Sequence, residues 1–162
     1  AFYDWLRENP DLFRPDSIDY IHDPARIGKL SRVISINGGV QVDLMGQENA
    51  ESANGMQLSG IGGQMDFLEG AFRSAGGCGY ICINSSRLTK DGVRKSNILP
   101  FIPGGSTVSA PRTLIEAVAT EYGIAHLAGK SLAERREAMI AIAHPDFRDA
   151  LRFEKPDLSL FL

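Results

Sequence analysis

The sequence predicts an α/β domain, an open and mostly parallel sheet flanked by helices, with a β-hairpin near the N-terminus. Two observations carry the prediction. Strand-length runs of β-branched and apolar residues alternate with segments of helical period, and 162 residues make one domain with a buried core the simplest organisation. A third observation concerns chemistry: residues 59–67 read SGIGGQMDF, a glycine loop that runs straight into a helical pattern.

At residues 2–8, Phe2, Trp5 and Leu6 fall at helical spacing, and Asn9-Pro10 closes the segment because the residue before a proline disfavours the α region. A second helix is predicted over 24–30, with Asp23 as its cap and Pro24 at the favoured first position. Residues 32–37 (RVISIN) and 40–44 (VQVDL) are β-branched runs separated by Gly38-Gly39, which predicts two antiparallel strands of a hairpin. Residues 46–63 are rich in Gly, Asn, Ser and Gln and predict a loop over the surface or along a cleft; loops of that length commonly carry function. The helix that follows places Met65, Phe67, Leu68, Ala71 and Phe72 on its apolar positions and ends near Gly76-Gly77. Residues 80–84 (YICIN) predict a buried strand, 90–92 a polar turn, and 97–102 (NILPFI) an edge strand interrupted by Pro100. Residues 117–120 (AVAT) predict one more strand, ending at Glu121-Tyr122-Gly123. Open α/β sheets bind ligands at the C-terminal ends of their strands, which singles out Glu121. In the last helix Ser131 and Glu134 form a capping box, Leu132, Met139, Ile140 and Ala143 form an apolar stripe, and Pro145 is the stop.

Composition narrows the function classes. The formal net charge of −3 leaves no basic footprint for nucleic acid. Cys78 and Cys82 have neither a companion pair nor a neighbouring His, so no disulfide framework and no metal site is expected, and a reducing cytoplasm fits best. Cys82 is expected to be buried in its strand and Cys78 exposed in a glycine turn. No apolar stretch approaches the roughly 20 residues of a membrane span, and no basic-then-apolar leader is present. Beginning at Ala1 and entering a helix at once, the chain reads equally as a fragment of a longer protein or as a trimmed start. His144 is expected to end a helix and pack, His126 has no Asp and Ser partners for a triad, and residues 134–137 (ERRE) read as a solvated helix face.

Glycines at 60, 62 and 63 let backbone N–H groups approach a ligand closely, and the helix that follows puts those donors at the positive end of its dipole. A phosphate, a carboxylate or a developing oxyanion would suit. Met65 stands where a third glycine of the dinucleotide fingerprint would fall, and no Gly-Lys-Ser/Thr follows, so neither phosphate motif matches. An oxyanion role gains ground, beside the plain alternative of a glycine turn that permits tight packing.

Four stretches taken together, VISIN with VQVDLMGQ, SGIGGQMDF, TEYGIAHLAGKSLAERR and IAHPDFRDAL, resemble in content and order the C-terminal domain of the acetyl-CoA hydrolase/transferase branch of the class I CoA-transferases. The resemblance covers nearly all of residues 1–162 and implies a CoA-transferase-like fold. It implies an enzyme in which a glutamate attacks an acyl-CoA thioester to give an acyl-glutamyl anhydride and then an enzyme-CoA thioester. That glutamate belongs to a segment upstream of FYDWL, so Glu48, Glu51, Glu69 and Glu121 are not candidates for it. By the resemblance, Gly63 is the backbone oxyanion donor, Glu121 of the T-E-x-G turn supports the site, and Ser59, Gly60, Ile61, Gly62, Gly63 and Lys90 contact CoA. Coenzyme A or acyl-CoA is then a substrate, with no permanently bound cofactor and no metal. Implied partners are acyl-CoA, a small carboxylate and the upstream domain of the same protein, with homo-oligomerisation open and neither nucleic acid nor membrane involved. Acyl-CoA hydrolysis, or CoA binding without catalysis, are the alternatives. Four departures from the family pattern stand out: CINSS in place of A-L-P-S, Ser96-Asn97 in place of Ser-Arg, His22 in place of Asn, and APRTLIEAVAT before Glu121 in place of a segment with a regularly placed Asp.

Overall fold

The computed structural model describes residues 1–53 and 55–153. Three short helices open the chain: α1 (Phe2–Glu8), α2 (Ile18–Ile21) and α3 (Pro24–Ile27), the last capped by Asp23, whose carboxylate accepts from the Ala25 amide at 2.9 Å. Then come β1 (Ile34–Gly38), β2 (Gln41–Asp43), β3 (Glu48–Asn49), β4 (Ser52–Ala53), β5 (Met56–Gln57), α4 (Gln64–Arg73) and β6 (Cys78–Cys82). The second half contains β7 (Ser86–Leu88), β8 (Arg94–Ser96), β9 (Ile98–Leu99), β10 (Ala117–Thr120), β11 (Gly123–His126), α5 (Leu132–Ala141) and α6 (Pro145–Arg152).

The main sheet has the order β1-β6-β10-β11, with β1, β6 and β10 parallel and β11 antiparallel to β10. It is the open, mostly parallel sheet expected from strand–helix alternation. Period-2 alternation sends Ile81, Val118 and Ala125 to one face, where Leu68 of α4, Met139 and Ile140 of α5 and Phe147 and Leu151 of α6 close a single core. On the other face Ile34, Ile36 and Ile124 are exposed. A smaller sheet, β3-β2-β9, extends the same core through Val42, Ile98 and Leu99. Among the described residues no helix is long and apolar enough to cross a membrane.

The predicted hairpin of 32–37 with 40–44 does not form. β1 pairs in parallel with β6, and β2 pairs instead with β3, Gln41 opposite Asn49 and Val42 opposite Glu48, so a hairpin exists one strand later. Gly38-Gly39 is a crossing between two sheets rather than a turn. The Gly39 amide still donates to Cys82 O, whereas the Val40 amide already donates to Asn49 O. A Cβ at Gly39 would lie 2.7 Å from Glu48 Oε1 and 3.0 Å from Ile83 Cγ2, so a side chain there would have to displace the Glu48 carboxyl.

Several other expectations need correction. The first part of 46–63 is not surface: Glu48, Asn49, Glu51 and Ser52 are buried, because their polar groups bond to one another and to Ser109, while the chain from Gly55 to Gly62 is exposed. Cys82 is exposed and Cys78 half-buried, since Gly79 and Ile81 take the buried positions of β6 and the alternation is the reverse of that expected. The last helix ends at Ala141, its Leu132 is exposed, and Pro145 starts α6 instead of stopping α5. His144 caps that start, its Nδ1 accepting from the Asp146 amide at 3.3 Å. Proline at a first helical position is as favourable as proline after a last one, and the pattern alone did not distinguish the two.

Candidate active site

The C-terminal ends of the three parallel strands converge on an open cleft lined by Gly39, Cys82, Ile83, Asn84, Ala119 and Thr120. This is where a parallel sheet leaves room for a ligand. Glu121 follows directly on β10. Its Oε1 accepts from the Ser85 hydroxyl at 2.6 Å and its Oε2 from the Ser85 amide at 2.9 Å, which ties the end of β10 to the end of β6. Partial burial works against ionisation of Glu121. The two Ser85 hydrogen bonds and one from the Glu121 backbone, with a smaller electrostatic contribution from the direction of His144, outweigh it and hold the carboxyl below its ordinary value. Replacing Ser85 with alanine removes the hydroxyl donor, so the Glu121 titration should move upward in carboxyl carbon NMR; an unmoved titration would refute this account of the Ser85–Glu121 pair.

The glycine loop leads into α4, whose first residue is joined to the cleft wall through Glu48. Ser59, Gly60, Ile61 and Gly62 are exposed, Gly62 adopts a φ of +60°, and Gly63 is the N-cap of α4, with no side chain capping the helix. The amides of Gly60, Ile61, Gly62 and Gly63 donate to no other described residue. Four free donors therefore precede the positive end of a ten-residue helix. The Cα of Gly63 rests against the His22 ring, where a Cβ would fall 2.3 Å from Cε1 and 2.5 Å from Nδ1. His22 itself packs edge-on against Phe67, with ring centroids 5.1 Å apart. Its Nδ1 lies 3.4 Å from Asp66 Oδ2 yet has no hydrogen-bond partner among the described residues.

Gln64, the first residue of α4, links loop and cleft. Its Nε2 donates to Glu48 Oε2 at 2.6 Å, and Glu48 in turn lies against Gly39 of the cleft wall. Glu48 is fully buried. Burial pushes its carboxyl up from 4.5 to about 7, the Gln64 hydrogen bond opposing the shift and the negative charge of Glu51 adding to it. Lys90 stands apart, exposed at the tip of the β7–β8 hairpin, whose base is the Ser85 that holds Glu121. The fold thus gathers Gly63, the cleft and Glu121 at one end of the sheet and leaves Lys90 on an arm projecting from it.

Sequence reasoning missed Gln64 and Ser85, and named Glu48 only to exclude it as a nucleophile. In GQENAES two glutamates three residues apart look solvated, and only long-range contacts bury them. Ser85 lies inside CINSS, one of the departures from the family pattern, which was the available signal.

The profile of the family described as acetyl-CoA hydrolase/transferase C-terminal domain matches residues 1–155. The chain is 45% identical over 149 residues to butyryl-CoA:acetate CoA-transferase of Anaerostipes caccae, covering 92% of this chain and 33% of that protein. It is 45% identical over 152 residues to 4-hydroxybutyrate coenzyme A transferase of Clostridium kluyveri, covering 94% and 34%. The crystal structure of RipA from Yersinia pestis superposes with a TM-score of 0.73 at 42% identity, covering 83% of this chain and 29% of that one. The chain therefore spans about a third of the length of the curated relatives it matches.

Proposed function

Because the chain belongs to the acetyl-CoA hydrolase/transferase C-terminal domain family, we propose that residues 1–162 form the C-terminal domain of a cytoplasmic acyl-CoA:carboxylate CoA-transferase. They supply its oxyanion and CoA-binding loop, while the nucleophilic glutamate lies on a segment outside this sequence. The observation that carries the reading is the row of four amides from Gly60 to Gly63 that donate to no other described residue, leading into a helix with no side-chain cap at the ligand-binding end of a parallel sheet.

The chemistry follows from that placement. The glutamate carboxylate adds to the thioester carbonyl, and the carbonyl oxygen gains the charge that the Gly63 N–H is placed to stabilise. Collapse of the tetrahedral intermediate expels CoA as thiolate and leaves an acyl-glutamyl anhydride. Attack of the thiolate on the glutamyl carbonyl releases the first carboxylate and forms the enzyme-CoA thioester. An acceptor carboxylate then runs the two steps in reverse. Covalent catalysis of this type replaces one difficult transfer with easier ones. Ser59, Gly60, Ile61, Gly62 and Lys90 contact CoA in this reading, and Glu121, fixed by Ser85, supports the site.

The test joins the chain to the upstream segment of the longer protein and follows transfer of CoA from acetyl-CoA to isotopically labelled butyrate by mass spectrometry. The joined protein should transfer, and the 162-residue chain alone should not. Turnover by the chain alone would show that it carries its own nucleophile and would sink the proposal. Release of free CoA in place of transfer would make the enzyme an acyl-CoA hydrolase. CoA binding with neither reaction would leave a binding module.

A further inference from the structure

The glycine loop is tethered at both ends to a single buried segment. At its leading end, Glu51 O accepts from the amides of Leu58, at 2.6 Å, and Ser59, at 3.3 Å. The Glu51 carboxylate accepts from Gln57 Nε2 at 3.2 Å, and Gln57 Nε2 also donates to Ser59 O at 2.6 Å. At its trailing end, Gln64 Nε2 donates to Glu48 Oε2 at 2.6 Å. The two glutamates are themselves locked. The Glu48 backbone exchanges hydrogen bonds with Ser109 and Ala110, at 2.8 and 3.0 Å, and Ser109 Oγ donates to Glu51 Oε2 at 2.7 Å.

Three glycines in four residues give a loop with large conformational entropy, and free amides stabilise a developing charge only if they are held in place beforehand. Burying two carboxylates three residues apart is unfavourable in itself, the more so because Glu48 Oε1 has no partner among the described residues. An apolar pair would fill the same space with no such penalty. What these carboxylates hold in common is the loop.

We propose that Glu48 and Glu51 are positioning residues that clamp the glycine loop between them, Glu51 through Gln57 and Ser59, and Glu48 through Gln64. The loop amides are then presented by the buried segment rather than by the loop itself. The clamp rests on the proposed function only for its consequence in catalysis; the tethering stands on the contacts.

The test uses amide nitrogen relaxation on the 162-residue chain, which reports loop order whether or not the chain is active. Gln64→Met keeps the side chain long and removes the donor, leaving the buried segment intact; it serves even where Glu48→Ala does not fold. In the parent chain the Gly62 and Gly63 amides should show order parameters of about 0.85, falling toward about 0.6 in Gln64→Met and Glu48→Ala. Glu48→Gln keeps an acceptor for Gln64 and should stay at the parent value; because glutamine also fills the space of glutamate, it is Gln64→Met, which fills space but donates nothing, that separates the hydrogen bond from packing. Unchanged order parameters in Gln64→Met would overturn the clamp. In the joined protein, Gln64→Met should lower kcat by about 10–100-fold with KM little altered. Loss of order with turnover unchanged would uphold the clamp and count against the oxyanion role of Gly63.

Discussion

Replacing Gly63 with alanine is expected to lower kcat of the joined protein by roughly 10²–10³-fold, the range for removing one oxyanion donor. The backbone of Gly63 is not in the left-handed region, with φ −90° and ψ 10°, so alanine brings no conformational strain. The effect is steric. The new Cβ would lie 2.3 Å from His22 Cε1, and either the ring or the start of α4 must move. His22 is hemmed in by Phe67 and Asp66, so displacement of the helix start carries the amide with it. Overpacking of this kind costs on the order of 1–3 kcal/mol. Gly104→Ala is the control, since a Cβ there meets nothing within 4 Å and the position lies outside the proposed CoA contacts. His22→Ala in the Gly63→Ala background makes room and should recover the lost stability. Equal kcat for Gly63→Ala and the parent would remove the oxyanion assignment.

The second large effect is a pH dependence of stability set by Glu48. Its carboxyl is raised from 4.5 to about 7 on folding, so between those values the folded chain holds a proton that the unfolded chain has lost. Stability from this site is therefore fully present below about 4.5 and declines as pH rises, levelling off above about 7. The whole decline is on the order of 3 kcal/mol. The charged groups that act on Glu48 work in the same direction, because ionised Glu51 disfavours a second negative charge beside it. Urea unfolding at intervals from pH 5 to pH 8 should show the fall in the parent chain and a flatter profile in Glu48→Gln, which cannot ionise. Identical profiles for the two would refute a proton held by Glu48.

Much of the fold was legible because it depends on local chemistry. Asp23 with Pro24 and the Ser131–Glu134 box mark helix starts through bonds made within three residues. The apolar spacing of Leu68 and Ala71 marks the buried face of α4 for the same reason. Less local features were misread. RVISIN and VQVDL look like two arms of a hairpin, but their partners, β6 and β3, were chosen by what each strand buries. Short strands such as β7, β8 and β11 have little pattern of their own and exist through pairing.

The same division runs through the candidate site. Local pattern was enough to show that a glycine loop precedes a helix, that Glu121 follows a strand, and which family the four matching stretches resemble. Those are properties of neighbours along the chain. Long-range packing put Glu48 and Glu51 inside, brought Gln64 and Ser85 to their carboxylates, and pressed His22 on Gly63. Each of these rests on contacts between residues at least 16 positions apart. A carboxylate's solvation, and with it its pKa and its use, is set by what surrounds it in space.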